Sequence, residues 1–193
     1  GPLPSVYVGR PVPYEAYREF VTAMATAGFD WDAAMAHMER AVEIAPDFWM
    51  ARLRLVITYT FLMQPAKARE MLAGVEKATA QLSPTELLFF GFVKARRDGR
   101  RLDALKAANE LLELAPHDPF VSYMAAQLAL SVNRPRAALD VLGDLSEIDW
   151  REVGKWPQGA WFVRSSALAH HYLGEYREEL ADAQLGVRYY PNS

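Results

Sequence analysis

The chain has 193 residues, enough for one domain or one run of stacked repeats, and 51% of them are apolar, enough to bury a sizeable core. Its net charge of −3, from 21 basic and 24 acidic residues, supplies no long-range pull toward nucleic acid or an anionic membrane. Cysteine is absent, which excludes disulfides and thiolate chemistry and leaves the compartment unread.

Residues 1–13, GPLPSVYVGRPVP, carry four prolines and read as an extended N-terminal linker. The opening Gly-Pro has the form of a protease scar from recombinant expression, so an upstream targeting or membrane segment is left open. The VYV stretch could lie as a strap against the first helical segment. From Tyr14 onward the apolar residues recur at helical spacing. In AAMAHMERAVEI, Met35, Met38, Val42 and Ile44, with Ala34 and Ala41, are expected to form one apolar stripe. The most apolar run, LVITYTFLM from Leu55 to Met63, has nine residues, against the roughly 20 needed to cross a bilayer. Further on come LSPTELLFF, RRLDALKAANELLELAP, NRPRAALDVL and LGEYREELADAQLGVRYYP.

These phrases are copies of one unit. Ala34, Ala68, Ala104 and Ala138 follow one another at steps of 34, 36 and 34. Each stands after a turn-prone or polar cluster, and Met38, Leu72, Ala108 and Leu142 stand four positions on. Pro46 and Pro116 each follow their alanine by 12 residues. In the fifth copy Glu179 holds the alanine position, 41 residues after Ala138, and the excess falls in an inserted connection. Each period holds two helices of about 13 residues, about 20 Å long. Gly99 and Gly174 suit the turns within pairs because glycine tolerates positive φ. The prolines stop the second helices. The small alanine lets paired helices approach closely. The expected organisation is a linker over 1–13 and a single repeat domain over 14–193. Its approximate repeats are 14–48, 49–82, 83–118, 119–145 and 159–193, with an inserted linker over 146–158.

This pattern resembles the tetratricopeptide repeat, a 34-residue unit with W-x2-L-G-x2-Y in its first helix, then A-x3-F, then P. The second copy, RLRLVITY, keeps Leu55 and Tyr59 but has Arg52 for the Trp and Val56 for the Gly. The resemblance implies an all-α fold, an α-α superhelix wound as a right-handed solenoid of about five helical hairpins. YEAYREF, LSPTELLFF and NRPRAALDVL are also similar to the C-terminal repeat regions of bacterial signalling proteins built on winged-helix regulators or serine/threonine kinases. That likeness implies a regulatory or sensory module of a larger protein.

In such folds the first helix of each pair lines a concave face. Register places on it Phe20, with Glu19 and Ala23, from the first copy, and Leu53, Arg54, Ile57 and Phe61 from the second. The third offers Phe89, Phe90 and Val93, with Glu86 and Arg97. The fourth offers Tyr123, Met124 and Gln127, with Phe120. The fifth offers Trp161, Arg164, His171 and Tyr172, with Leu168. Some family members grip a peptide's terminal carboxylate with Lys and Asn on this face. Here the matching places hold Glu19, Ala23, Arg54, Glu86 and Phe90, so that clamp is not expected. The aromatic content suits an apolar or amphipathic protein segment, with Arg available for one carboxylate. The same side chains could instead be core, lie under the N-terminal arm, or pack in a weak homodimer. A second functional reading is a small-molecule sensor that encloses an apolar effector in the aromatic groove. Trp150 and Trp156 of the inserted linker could cap the solenoid or form a partner site, and the favoured reading is that they cover the junction between the fourth and fifth copies.

Catalytic patterns are missing. His170 and His171 point about 100° apart on a helix, and no ligand set surrounds them or His37 and His117, so no metal and no cofactor is expected. Ser165 and Ser166 lack a nucleophile elbow, and no Gly-rich phosphate loop occurs. RRDGRR, residues 96–101, could touch phosphate or an acidic partner, but its plain reading is a solvated hairpin tip. The expectation is a non-catalytic module, monomeric or weakly dimeric, that binds protein segments and contacts neither nucleic acid nor membrane.

Overall fold

The computed structural model describes residues 11–27, 30–116, 118–143 and 159–191. Ten α-helices and one 3-10 turn, Thr79–Gln81, account for the regular structure among them, and no strand occurs there. The helices are α1 (Tyr14–Thr26), α2 (Trp31–Ile44), α3 (Trp49–Phe61), α4 (Pro65–Lys77) and α5 (Pro84–Arg97). They continue as α6 (Arg101–Leu114), α7 (Pro119–Ser131), α8 (Pro135–Leu142), α9 (Gly159–Leu173) and α10 (Tyr176–Tyr189). The chain divides into two compact units, residues 1–100 and 101–193. Residues 1–10 of the linker, His117, and the inserted connection with Trp150 and Trp156 lie outside the described residues.

In residues 1–100, α1 packs on α2, α2 on α3, and α3 on both α4 and α5. Helix α3 is therefore central, and ten of its 13 residues are buried. Helix α1 buries Ala16, Phe20 and Ala23, one face at spacings of four and three. Helix α2 starts at Asp30, whose carboxylate accepts a hydrogen bond from the Ala33 amide at 2.9 Å. Its buried stripe is Ala34, Met38, Ala41 and Val42. Ile44 does not belong to it and is 38% exposed. Two residues beyond Val42 is about 200° around the helix, on the far side. Met35 is half-buried. Ser83 and Glu86 form a capping box at the start of α5: the Ser83 amide donates to Glu86 Oε2 at 2.8 Å, and the Glu86 amide donates to Ser83 Oγ.

In residues 101–193, α7 packs on α6, α8 and α9, and α9 packs on α8 and α10. Helix α7 buries eight of its 13 residues, four of them the small residues Ser122, Ala125, Ala126 and Ala129. Helix α8 is shorter than the 13 residues expected, with eight. It stops at Gly143, whose φ of 73° and ψ of −174° lie in a region open essentially to glycine alone.

The repeat phase is visible as packing. Ala34, Ala68, Ala104 and Ala138 are all buried, and so are Met38, Leu72, Ala108 and Leu142. Helices α2, α6 and α10 each stop two residues before Pro46, Pro116 and Pro191. Gly99 and Gly174 have φ of 71° and 72° in the turns that follow α5 and α9. Met63 and Asn133 hold the equivalent places after α3 and α7 with φ of 55° and 57°. Asparagine tolerates that region, whereas a methionine there is strained by about 1–2 kcal/mol. Met63 is 85% exposed and makes little packing to lose. Met63→Gly is therefore expected to stabilise the chain by up to about 1 kcal/mol in urea unfolding.

Candidate functional site

Register alone assigned fifteen residues to a binding face, and the structure divides them. Phe20, Leu53, Arg54, Ile57, Phe89, Val93 and Met124 are buried. Phe20 stacks against Phe48 with ring centroids 5.0 Å apart, and Phe89 against Phe92 at 5.6 Å. The Arg54 guanidinium lies over the Phe89 ring, 5.3 Å from its centroid. Burial pulls the Arg54 pKa down to about 9, because a charged group loses hydration in the core. These seven side chains belong to the cores of their own units.

In residues 1–100 the accessible members are Phe61 and Phe90. Phe61 is 39% exposed and sits between Trp31, at 5.6 Å, and the Arg96 guanidinium, also at 5.6 Å. Phe90 is half-buried beneath Lys94, which pairs with Glu76. Glu19, half-buried on α1, meets His37 Nδ1 at 2.6 Å. That hydrogen bond holds the Glu19 carboxyl below its ordinary range.

In residues 101–193 the remaining members gather on adjoining helices. Tyr123 of α7 and Trp161 of α9 stack with centroids 5.0 Å apart, although 38 positions separate them in sequence. Both are half-buried. Gln127 Nε2 donates to Ser165 Oγ at 2.7 Å, and Ser165 Oγ donates to the Trp161 carbonyl at 2.6 Å. This chain of hydrogen bonds ties α7 to α9 one helical turn along from the ring pair, and its Ser165 is buried. Arg164 is exposed on α9, three residues from Trp161 and so on the same helical face. Among the described residues no carboxylate pairs with it. His171 and Tyr172 are exposed at the end of α9, where the His171 ring meets Tyr172 and Tyr176 edge-on and its Nδ1 lies 3.1 Å from Glu179. The platform combines aromatic area with an exposed guanidinium, residue types enriched in protein-recognition hot spots.

A second polar constellation locks the last helices. Glu175 precedes α10 and accepts hydrogen bonds from Arg136 of α8 and from His170 Nδ1, the latter at 2.7 Å. The Arg136 bond, followed by the His170 bond, holds the Glu175 carboxyl below its ordinary range. A depressed folded-state pKa stabilises the fold above the unfolded value and loses that contribution as pH falls through the folded value. Arg136→Gln is expected to raise the Glu175 pKa toward its ordinary value, which shrinks that pH-dependent contribution. An NMR titration of the side-chain carboxyl carbon reads this directly. An unchanged midpoint would show that Arg136 is a bystander.

Among the described residues no group of three His, Asp or Glu side chains is placed to hold a metal, and no helix is long and apolar enough to cross a membrane. Sequence reasoning missed the roles of Ser165 and Glu175. A serine on an apolar helix face and a glutamate just before a helix were the available signals, but their partners come from other helices.

No protein-family model and no curated protein matches the chain. Solved structures do. One is YrrB, described as a tetratricopeptide-repeat protein with an unusual peptide-binding site. It is 14% identical, with a TM-score of 0.50 over 92% of this chain and 87% of its own. Another is a tetratricopeptide-repeat protein from Parabacteroides merdae, 15% identical, with a TM-score of 0.52 over 94% of this chain and 69% of its own. The all-α architecture among the described residues, the buried alanines in four of the five copies and these likenesses agree, and the chain has the tetratricopeptide-repeat fold.

Proposed function

We propose that the chain is a non-catalytic protein–protein interaction module that binds an extended or amphipathic segment across the Tyr123–Trp161 platform. The observation that carries this reading is the platform itself: two half-buried aromatic residues with rings 5.0 Å apart, on helices tied together by the Gln127–Ser165 hydrogen bond, with Arg164 exposed on the same face as Trp161. Rigid aromatics offer large contact area at low entropic cost, and the guanidinium selects a carboxylate next to an apolar anchor. The peptide-binding site named for YrrB supports the same class of ligand. The similarity to bacterial signalling proteins supports a regulatory or sensory place in a larger protein.

Selection of displayed peptides on the immobilised full chain tests this. The enriched sequences should pair an aromatic or large aliphatic residue with a neighbouring acidic one. Trp161→Ala combined with Arg164→Glu, with helicity confirmed by circular dichroism, should weaken them at least tenfold, since loss of such an anchor costs about 2 kcal/mol or more. Equal binding by the variant would remove the platform from the site.

A further inference from the structure

A separate pocket of about 550 Å³ opens in residues 1–100, between α3, α4 and α5. Its floor is apolar and includes Ile57, Ala68 and Val93, each at least nine-tenths buried. Its lining also takes in Arg69, Arg96 and Arg97. Arg96 is held by its contact with the Phe61 ring at 5.6 Å. Arg97 pairs with Asp98 at 2.7 Å, and Arg100 reaches the same carboxylate at 3.8 Å. Arg69 is exposed and has no carboxylate partner among the described residues. Three arginines therefore contribute to the lining, no acidic residue belongs to it, and the Asp98 carboxylate that pairs with Arg97 is also reached by a fourth arginine.

We propose that this pocket binds a small amphipathic anion, an aliphatic chain that ends in a carboxylate. The volume lies within the range of small-molecule sites, roughly 300–1,000 Å³. A free inorganic anion would leave the apolar floor wet, and a neutral hydrocarbon would leave Arg69 without an anionic partner. An alkyl carboxylate uses both, with the guanidinium groups as charge-assisted donors. The site shares no residue with the Tyr123–Trp161 platform, so it stands or falls independently of peptide binding there. It gives RRDGRR a role beyond solvation, because Arg96 and Arg97 are its first two residues.

The probe is decanoate, titrated into the full chain and followed by calorimetry and by methyl NMR of Ile57 and Val93. The expected result is saturable binding with shifts at those methyl groups, while decylamine of the same length binds at least tenfold more weakly. Arg69→Gln with Arg96→Gln should weaken decanoate at least tenfold. Thr60→Trp, at an exposed pocket-lining position, should block the chain without touching the arginines. Helicity and urea unfolding show that both variants are folded. Absence of saturation, shifts elsewhere, equal binding of decylamine, or full binding by either variant would overturn the assignment. Tighter binding of an acetylated peptide of alternating glutamate and leucine would also overturn it and make the pocket a peptide site.

Discussion

Phe89→Ala is expected to destabilise the chain by about 3–5 kcal/mol, the usual cost of emptying a buried aromatic site. Its ring is 1% exposed, contacts Phe92 and carries the Arg54 guanidinium on its face. Truncation therefore opens a cavity and strips a buried cation of its aromatic neighbour, two losses at one place. Phe90→Ala provides the contrast. One residue on is about 100° around the helix, which takes Phe90 to a half-buried position under Lys94. Its loss should cost about 1 kcal/mol or less. Urea unfolding of both variants, compared at equal m-value, separates the two roles. A stable Phe89→Ala chain with impaired partner binding would return Phe89 to the binding face.

Ala138→Leu should cost about 1–3 kcal/mol, because the isobutyl side chain that replaces the methyl group has nowhere to go at a helix crossing. Ala138 has no exposed surface, and α8 is in contact with α7 and α9. The fifth copy supplies the control. Glu179 stands at the corresponding place of α10, 32% exposed and against His171. Glu179→Ala should change stability by no more than about 0.5 kcal/mol. If both substitutions were neutral, the alanine phase would be compositional and the close approach would have another cause.

The legible part of this fold was what repeats. An alanine at the same phase in four copies, a glycine before it in two and a proline after it in three are local requirements of turn geometry and close packing, so sequence spacing exposed them. The binding face was legible only by register. Register places Phe89 and Phe90 side by side yet does not say which one the neighbouring helix covers. For Phe20, Leu53, Ile57, Val93 and Met124 the neighbouring helices settled the matter by burial. Tyr123 and Trp161 were both named from register, but their stacking and the Gln127–Ser165 tie depend on how α9 returns to α7 after the inserted connection. The same limit hid the pocket behind Arg96 and Arg97. A run of arginines reads as solvated until the apolar floor contributed by α3 and α4 is known. The misplaced Ile44 had a simpler origin, since counting around the helix already sets it apart from Val42.

The most direct test of the central claim is site-specific photo-crosslinking. A photoreactive residue replaces Leu168, which is 37% exposed one turn beyond Arg164 on α9. A matched substitution at Lys106, an 80% exposed position on α6, serves as the reference. Adducts formed in lysate of the source organism are mapped to their residues by mass spectrometry. The account predicts that position 168 captures one foreign segment, with an apolar anchor beside an acidic residue, and that position 106 does not. Crosslinks from position 168 only to this chain's own N-terminal residues or to a second copy, or the same adducts from both positions, would contradict it.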